Sequence, residues 1–173
     1  SLPNLDPAAV HGLDALTCGS NGGNGTTFTI ADAPTVQFGT GDWGLAFVYK
    51  PASQSTISVA LWNKGGAINL SQQGPTYQVT DGTSKITGSF TGTNFQYVVA
   101  RGTALSLQTP TGSSTGPTAT SDVSASGVGV SVCDNDSINS GQAEVAEVIA
   151  VKGTVADADV TNLLAYFQAK FGL

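Results

Sequence analysis

Apolar residues change their spacing along this chain. From Thr26 to Val132 they come in short runs, many alternating with polar residues, broken by Gly, Asn, Asp and Pro at roughly ten-residue intervals, as in a β-sandwich or barrel. The pattern predicts strands at Thr27–Ile30, Thr35–Phe38, Trp43–Tyr49, Thr56–Asn63, Ala67–Ser71, Thr76–Thr80, Lys85–Phe90, Phe95–Arg101, Ala104–Gln108 and Val128–Val132, with hairpin tips at Asp81-Gly82 and Arg101-Gly102. In the third of these, Trp43, Leu45, Phe47 and Tyr49 share one face, and Gly44, Ala46 and Val48 share the other, so the small face should meet a close neighbour.

The run Val145–Val151 is almost wholly apolar and β-branched, which predicts a strand covered on both faces. After a turn at Lys152-Gly153, Val160, Leu163, Leu164 and Phe167 fall at i, i+3, i+4 and i+7 of a closing helix, with Thr154 or Asp157 as its cap. Gly172 is placed to stop that helix, with Lys170 in its last turn. Residues 1–25 read as an arm: a short helix opened by Asp6-Pro7, then a Gly/Asn-rich loop. The Thr-, Ser- and Pro-rich stretch from Thr109 to Ser126 reads as a long surface loop.

Composition narrows the function. Only 10% of the 173 residues are charged, against about 25% in an ordinary soluble protein. With net charge -6 there is no basic patch to displace counterions from phosphate, which argues against nucleic acid as a partner. No apolar window reaches the roughly 18 residues of a membrane span, and no export signal is visible, so neither a membrane nor a signal peptide is expected.

Residues 28–50, with Phe38-Gly-Thr-Gly-Asp-Trp43 leading into a strand, resemble the opening of laminin-G-like domains of the concanavalin-A-like lectin/glucanase superfamily. Trp62-Asn-Lys-Gly-Gly66 resembles the next strand end. Ala143-Glu-Val-Ala-Glu-Val-Ile149 and the ending Tyr166-Phe-Gln-Ala-Lys-Phe-Gly-Leu173 resemble the last strand and helix of the bacterial and phage branch. The resemblance covers residues 26–173. It implies a two-sheet antiparallel jelly roll, all-β apart from a short C-terminal helix, with ligands held by edge loops or on the concave sheet.

Candidate chemistry is sparse. The two glutamates, Glu144 and Glu147, stand three apart on a strand and so are expected on opposite faces, whereas a retaining glycosidase needs two carboxylates about 5 Å apart. Gly39–Gly44 matches the dinucleotide fingerprint but precedes a strand, and Ser114 in Gly112–Gly116 lacks the context of a nucleophile elbow. The single histidine, His11, lies in the arm. No catalytic residue and no cofactor is expected. Asp134 and Asp136, with Ser137 and Asn139, offer hard oxygen ligands for calcium, or form an ordinary Asx-rich turn. Cys18 and Cys133 are the only cysteines: an intramolecular disulfide, free thiols and an intersubunit bond are all open.

The lone module, the uncharged surface and the arm suggest a virion accessory protein. It would decorate a phage capsid, contact capsid protein or copies of itself, and sit on the virion surface or outside the cell after release. The alternative is a carbohydrate-binding, lectin-like module for a cell-surface glycan. A glucanase is carried only because the superfamily contains such enzymes.

Overall fold

The computed structural model describes residues 4–10, 12–18, 27–51, 58–65, 67–82, 84–90, 92–102, 105–117, 122–135 and 143–173. In chain order these form β1 (Asn4–Val10), β2 (Leu13–Cys18), β3 (Phe28–Ile30), β4 (Trp43–Lys50), β5 (Ser58–Lys64), β6 (Ile68–Gln73) and β7 (Thr76–Asp81). Then follow β8 (Ser84–Ser89), β9 (Gln96–Arg101), β10 (Ser106–Thr109), β11 (Gly112–Thr115), β12 (Val130–Val132), β13 (Asp134–Asn135), β14 (Ala143–Lys152) and one helix, α1 (Asp157–Phe171).

The strands make two antiparallel sheets, as an all-β sandwich requires. The first runs β1-β2-β14-β4-β9-β10-β11 and the second β3-β12-β5-β6-β7-β8, with β13 also paired to β5. Trp43, Leu45, Phe47 and Tyr49 of β4 meet Trp62, Leu70, Tyr77 and Val79 of the second sheet in one buried core. The opposite face of the first sheet is buried too. There Ala46, Val48 and Val99 meet Val160, Phe167 and Phe171 of α1, with Leu163 and Leu164 half-buried beside them.

This explains the small face of β4. A Cβ on Gly44 would stand 2.5 Å from Val155 Cγ2, so the segment entering α1 lies directly on the strand where a side chain would otherwise be. The helix ends as its residues require: Gly172 takes the left-handed conformation at φ 71° and its N–H donates to Gln168 O.

Five expectations are corrected. Residues 4–10 form strand β1 and not a helix; its register against β2 shifts between Asp6 and Val10, around Pro7, which has no N–H to give the ladder. Pro34–Val36 is a single 3-10 turn, so no strand forms at Thr35–Phe38. The Thr109–Ser126 stretch is not one loop: Gly112–Thr115 pairs with β10 across a tight turn, and Val123 is buried. Neither Thr154 nor Asp157 caps α1; Ala156 holds that position and its N–H donates to Asp159 Oδ2. Finally, Glu144 pairs in register with Lys50 and Glu147 with Val48, which share a face of β4, so the bulge at Ala146 puts both glutamates on the helix side.

One buried ion pair ties the loops to the second sheet. Lys64 is fully buried at the end of β5; its ammonium donates to Asp32 Oδ1 (2.9 Å) and Val128 O (2.8 Å). Asp32 Oδ2 also accepts from Gln37 Nε2 and the Gly127 N–H. The Lys64 hydrogen bond, then the Gly127 N–H, hold the Asp32 carboxyl below the usual carboxylate range.

Asp81 behaves in the opposite way. It is fully buried at the end of β7, and burial, weakly countered by backbone N–H groups of Asp81 and Ser84, pushes its carboxyl up to about 6. Its folded-state value lies above the unfolded one, near 3.9, so the protonated form favours the fold and that contribution fades as pH rises from about 4 to 6. The urea midpoint should therefore fall between pH 4 and pH 6.5. Asp81→Asn should flatten that slope and raise the midpoint at pH 7; an unchanged slope in the variant would assign it to another group.

Candidate functional site

The helix that covers the first sheet leaves a groove along one of its sides. β14 runs into it, the turn through Gly153 reverses the chain, and α1 returns above the strand. Val151, Thr154, Val155, Asp159, Asn162, Leu163 and Tyr166 line a cleft of about 470 Å³ between them. On the helix, Asp159, Asn162 and Tyr166 fall at i, i+3 and i+7, a polar and aromatic stripe beside the buried one. Val151, Val155 and Leu163 provide an apolar floor.

The aromatic wall is held in place. The Tyr166 hydroxyl donates to Glu147 Oε1 (2.8 Å) on β14 and accepts from Lys170 Nζ (2.8 Å) one turn on. Lys170 also donates to both Glu147 oxygens, and the Tyr166 and Glu147 contacts raise its ammonium above the usual lysine value. With its hydroxyl engaged, Tyr166 offers the groove chiefly a ring; the residue is 40% exposed.

At the other end Thr154 Oγ1 donates to Asp42, which fixes the loop that forms the mouth. Asp159 uses Oδ2 on the Ala156 N–H. The cleft thus combines one aromatic face, an apolar floor and a rim of hydroxyl, carboxylate and amide. That is the chemistry that grips a sugar, whose C–H face stacks on rings while its hydroxyls seek paired donors and acceptors.

The second sheet offers a different surface. On the other face of that sheet, Asn63, Asn69, Thr80 and Lys85 stand in one cross-strand row and Ala60, Ser71, Gln78 and Thr87 in another, of which Ser71 is buried. Neither row holds an aromatic ring, so the groove suits a sugar better than this sheet face does.

The candidates from the sequence fall elsewhere. Glu144 is buried and paired with Lys50, and Glu147 is held by Lys170 and Tyr166, so a lysine neutralises each carboxylate. Ser114 lies on β11 opposite Leu107, an edge strand and not an elbow. Gly39 to Asp42 form the turn that feeds β4. Trp43 and Trp62 are buried. Asp134 opens β13, with its backbone opposite Ala60, while its side chain, Asp136 and His11 lie outside the described residues. Among the described residues no group of three His, Cys, Asp or Glu could hold a metal ion, and no helix is long and apolar enough to cross a membrane. Cys18 and Cys133 stand with Sγ atoms 2.00 Å apart and Cα atoms 5.1 Å apart, joined as a disulfide.

No family model and no curated protein matches the sequence significantly, but many solved structures match the fold. One half of a botulinum neurotoxin binding domain has this fold. The binding domain of botulinum neurotoxin DC in complex with rat synaptotagmin II superposes with a TM-score of 0.71 at 10% identity over 96% of this chain. The same domain in complex with SialylT gives 0.69. Botulinum neurotoxin type C, which enters cells dependent upon interaction with two ganglioside molecules, gives 0.70, again at 10% identity. This chain spans 45–46% of those neurotoxin chains. Two of these neurotoxin structures are binding domains by their own description, and at this identity they establish the fold of this chain alone.

The sequence points to Tyr166 only as part of the closing segment, and to Asp159 and Asn162 not at all. Their signal was available as the i, i+3, i+7 stripe beside the apolar one, but a helix surface of that composition ordinarily faces water.

Proposed function

We propose that this protein is a non-catalytic carbohydrate-recognition module, and that the groove between β14 and α1 is its binding site. The observation that carries the proposal is a cleft lined by Tyr166, whose hydroxyl is held by Glu147, together with apolar Val151, Val155 and Leu163 and polar Asp159, Asn162 and Thr154. The lectin-like sandwich and the ganglioside- and SialylT-associated neurotoxin neighbours support a cell-surface glycan as partner, and they favour this reading over capsid decoration. A binding module needs no acid–base pair, which accords with two glutamates each committed to a lysine.

Glycan-array screening followed by titration of the best ligand tests the proposal. Tyr166→Ala should weaken binding about tenfold or more, about 1.4 kcal/mol. Tyr166→Phe should stay within about threefold of wild type, because the hydroxyl is spent on Glu147. Tyr166 is exposed, so neither change should unfold the domain. A silent array, or a ligand whose affinity ignores Tyr166→Ala, would overturn the assignment.

A further inference from the structure

Resting on that reading of the groove, we infer that its ligand is a neutral sugar, and that the site discriminates against sialylated, sulfated or uronic glycans. Among the described residues, the only charged side chain lining the cleft is Asp159. One more carboxylate flanks it, Asp42, which accepts from Thr154 at the mouth, while Glu147 behind the ring is neutralised by Lys170.

The neighbouring cations are already engaged. Arg101 donates to Asp157 Oδ1 (2.6 Å), Val155 O and Ser106 Oγ. Lys170 is shared between Glu147 and the Tyr166 hydroxyl. Lys152 donates to Pro34 O. An incoming carboxylate or sulfate would find Arg101 and Lys170 each already facing a carboxylate of this chain.

The first turn of α1 would ordinarily favour an anion, since unpaired N–H groups concentrate positive potential there. Here the chain's own acids occupy that turn. Asp157 and Asp159 both lie in it, and Asp159 takes the Ala156 N–H. The potential is answered before a ligand arrives, and a second negative group would meet Asp159 across a short distance. A neutral pyranose meets no such charge. Its apolar face can rest on Val151, Val155 and Leu163 against Tyr166, and adjacent hydroxyls can bridge Asp159 and Asn162, as carboxylate and amide groups bind paired donors and acceptors.

Matched pairs of oligosaccharides that differ only by a terminal sialic acid or sulfate supply the test, titrated against wild type and Asp159→Asn at 50 and 500 mM NaCl. The neutral member should bind wild type at least tenfold tighter than its charged twin, with an affinity that barely changes with salt. Asp159→Asn keeps an oxygen for the Ala156 N–H while removing the charge, so it should narrow the gap several-fold. Equal or tighter binding of the charged member, or a gap unchanged in Asp159→Asn, would overturn this inference and leave the groove as a glycan site. No binding by any member of any pair would instead remove the glycan reading itself, and the inference with it.

Discussion

Replacing Cys18 and Cys133 together by alanine is expected to lower the free energy of unfolding by about 4 kcal/mol, which for a chain of this size lowers Tm by roughly 10 °C. Cys18 ends β2 in the first sheet, and Cys133 follows β12 in the second. The bond therefore joins the two sheets, and it closes a loop with a sequence separation of 115. In the unfolded chain that link removes conformations that the reduced chain regains, and the loss grows with loop length. Both cysteines are buried, so reductant should act mainly through opening of the fold. Urea unfolding of wild type with and without reductant, beside the double variant, measures the effect. Wild type in reductant should coincide with the variant. A midpoint that ignores both changes, together with two titratable thiols in unfolded wild type, would show that the bond does not form in the protein.

The Lys64–Asp32 pair gives the second large effect, and its size depends on which partner is removed. Asp32→Ala leaves the fully buried Lys64 ammonium with Val128 O as its remaining hydrogen-bond acceptor, and a buried charge stripped of its partner costs about 3–5 kcal/mol. Lys64→Met removes the buried charge itself. The Asp32 side chain is 19% exposed and keeps Gln37 and the Gly127 N–H, so it can rehydrate. The urea midpoint should therefore drop much further in Asp32→Ala than in Lys64→Met. Equal losses would mean that the pair acts only through side-chain packing. The lowered Asp32 carboxyl adds a pH signature: its contribution is present above about pH 4 and disappears as pH falls through the folded-state value. The stability difference between wild type and Lys64→Met should accordingly shrink as pH falls below about 4.

Local patterns carried much of the fold. β4, β7, β9 and α1 lie within a residue or two of where periodicity places them, because alternation and helical spacing report which face is buried wherever one face is. Among the elements that escaped, β1 and β2 carry apolar residues that no regular alternation sets out, whereas β11 and β13 have few apolar side chains of their own and are strands because a neighbour offers a hydrogen-bonding edge. Propensity does not reveal such an edge, since it belongs to the partner strand. The same reason misplaced Glu144 and Glu147: strict alternation sends them to opposite faces, and the bulge at Ala146 exists only in the register between β14 and β4.

By itself the sequence determined the all-β class, the apolar strand β14, the closing helix with its buried stripe, and the small face of β4 awaiting a neighbour. These are one-dimensional facts, because each depends on residues a few positions apart. The tertiary structure alone decided which neighbour fills that face, that Cys18 meets Cys133, that Asp32 reaches Lys64, and that Glu147 pins Tyr166 over a groove. Each of these joins residues distant in the chain, and such contacts follow from how the sheets stack and where the helix docks. Composition and spacing do not encode them.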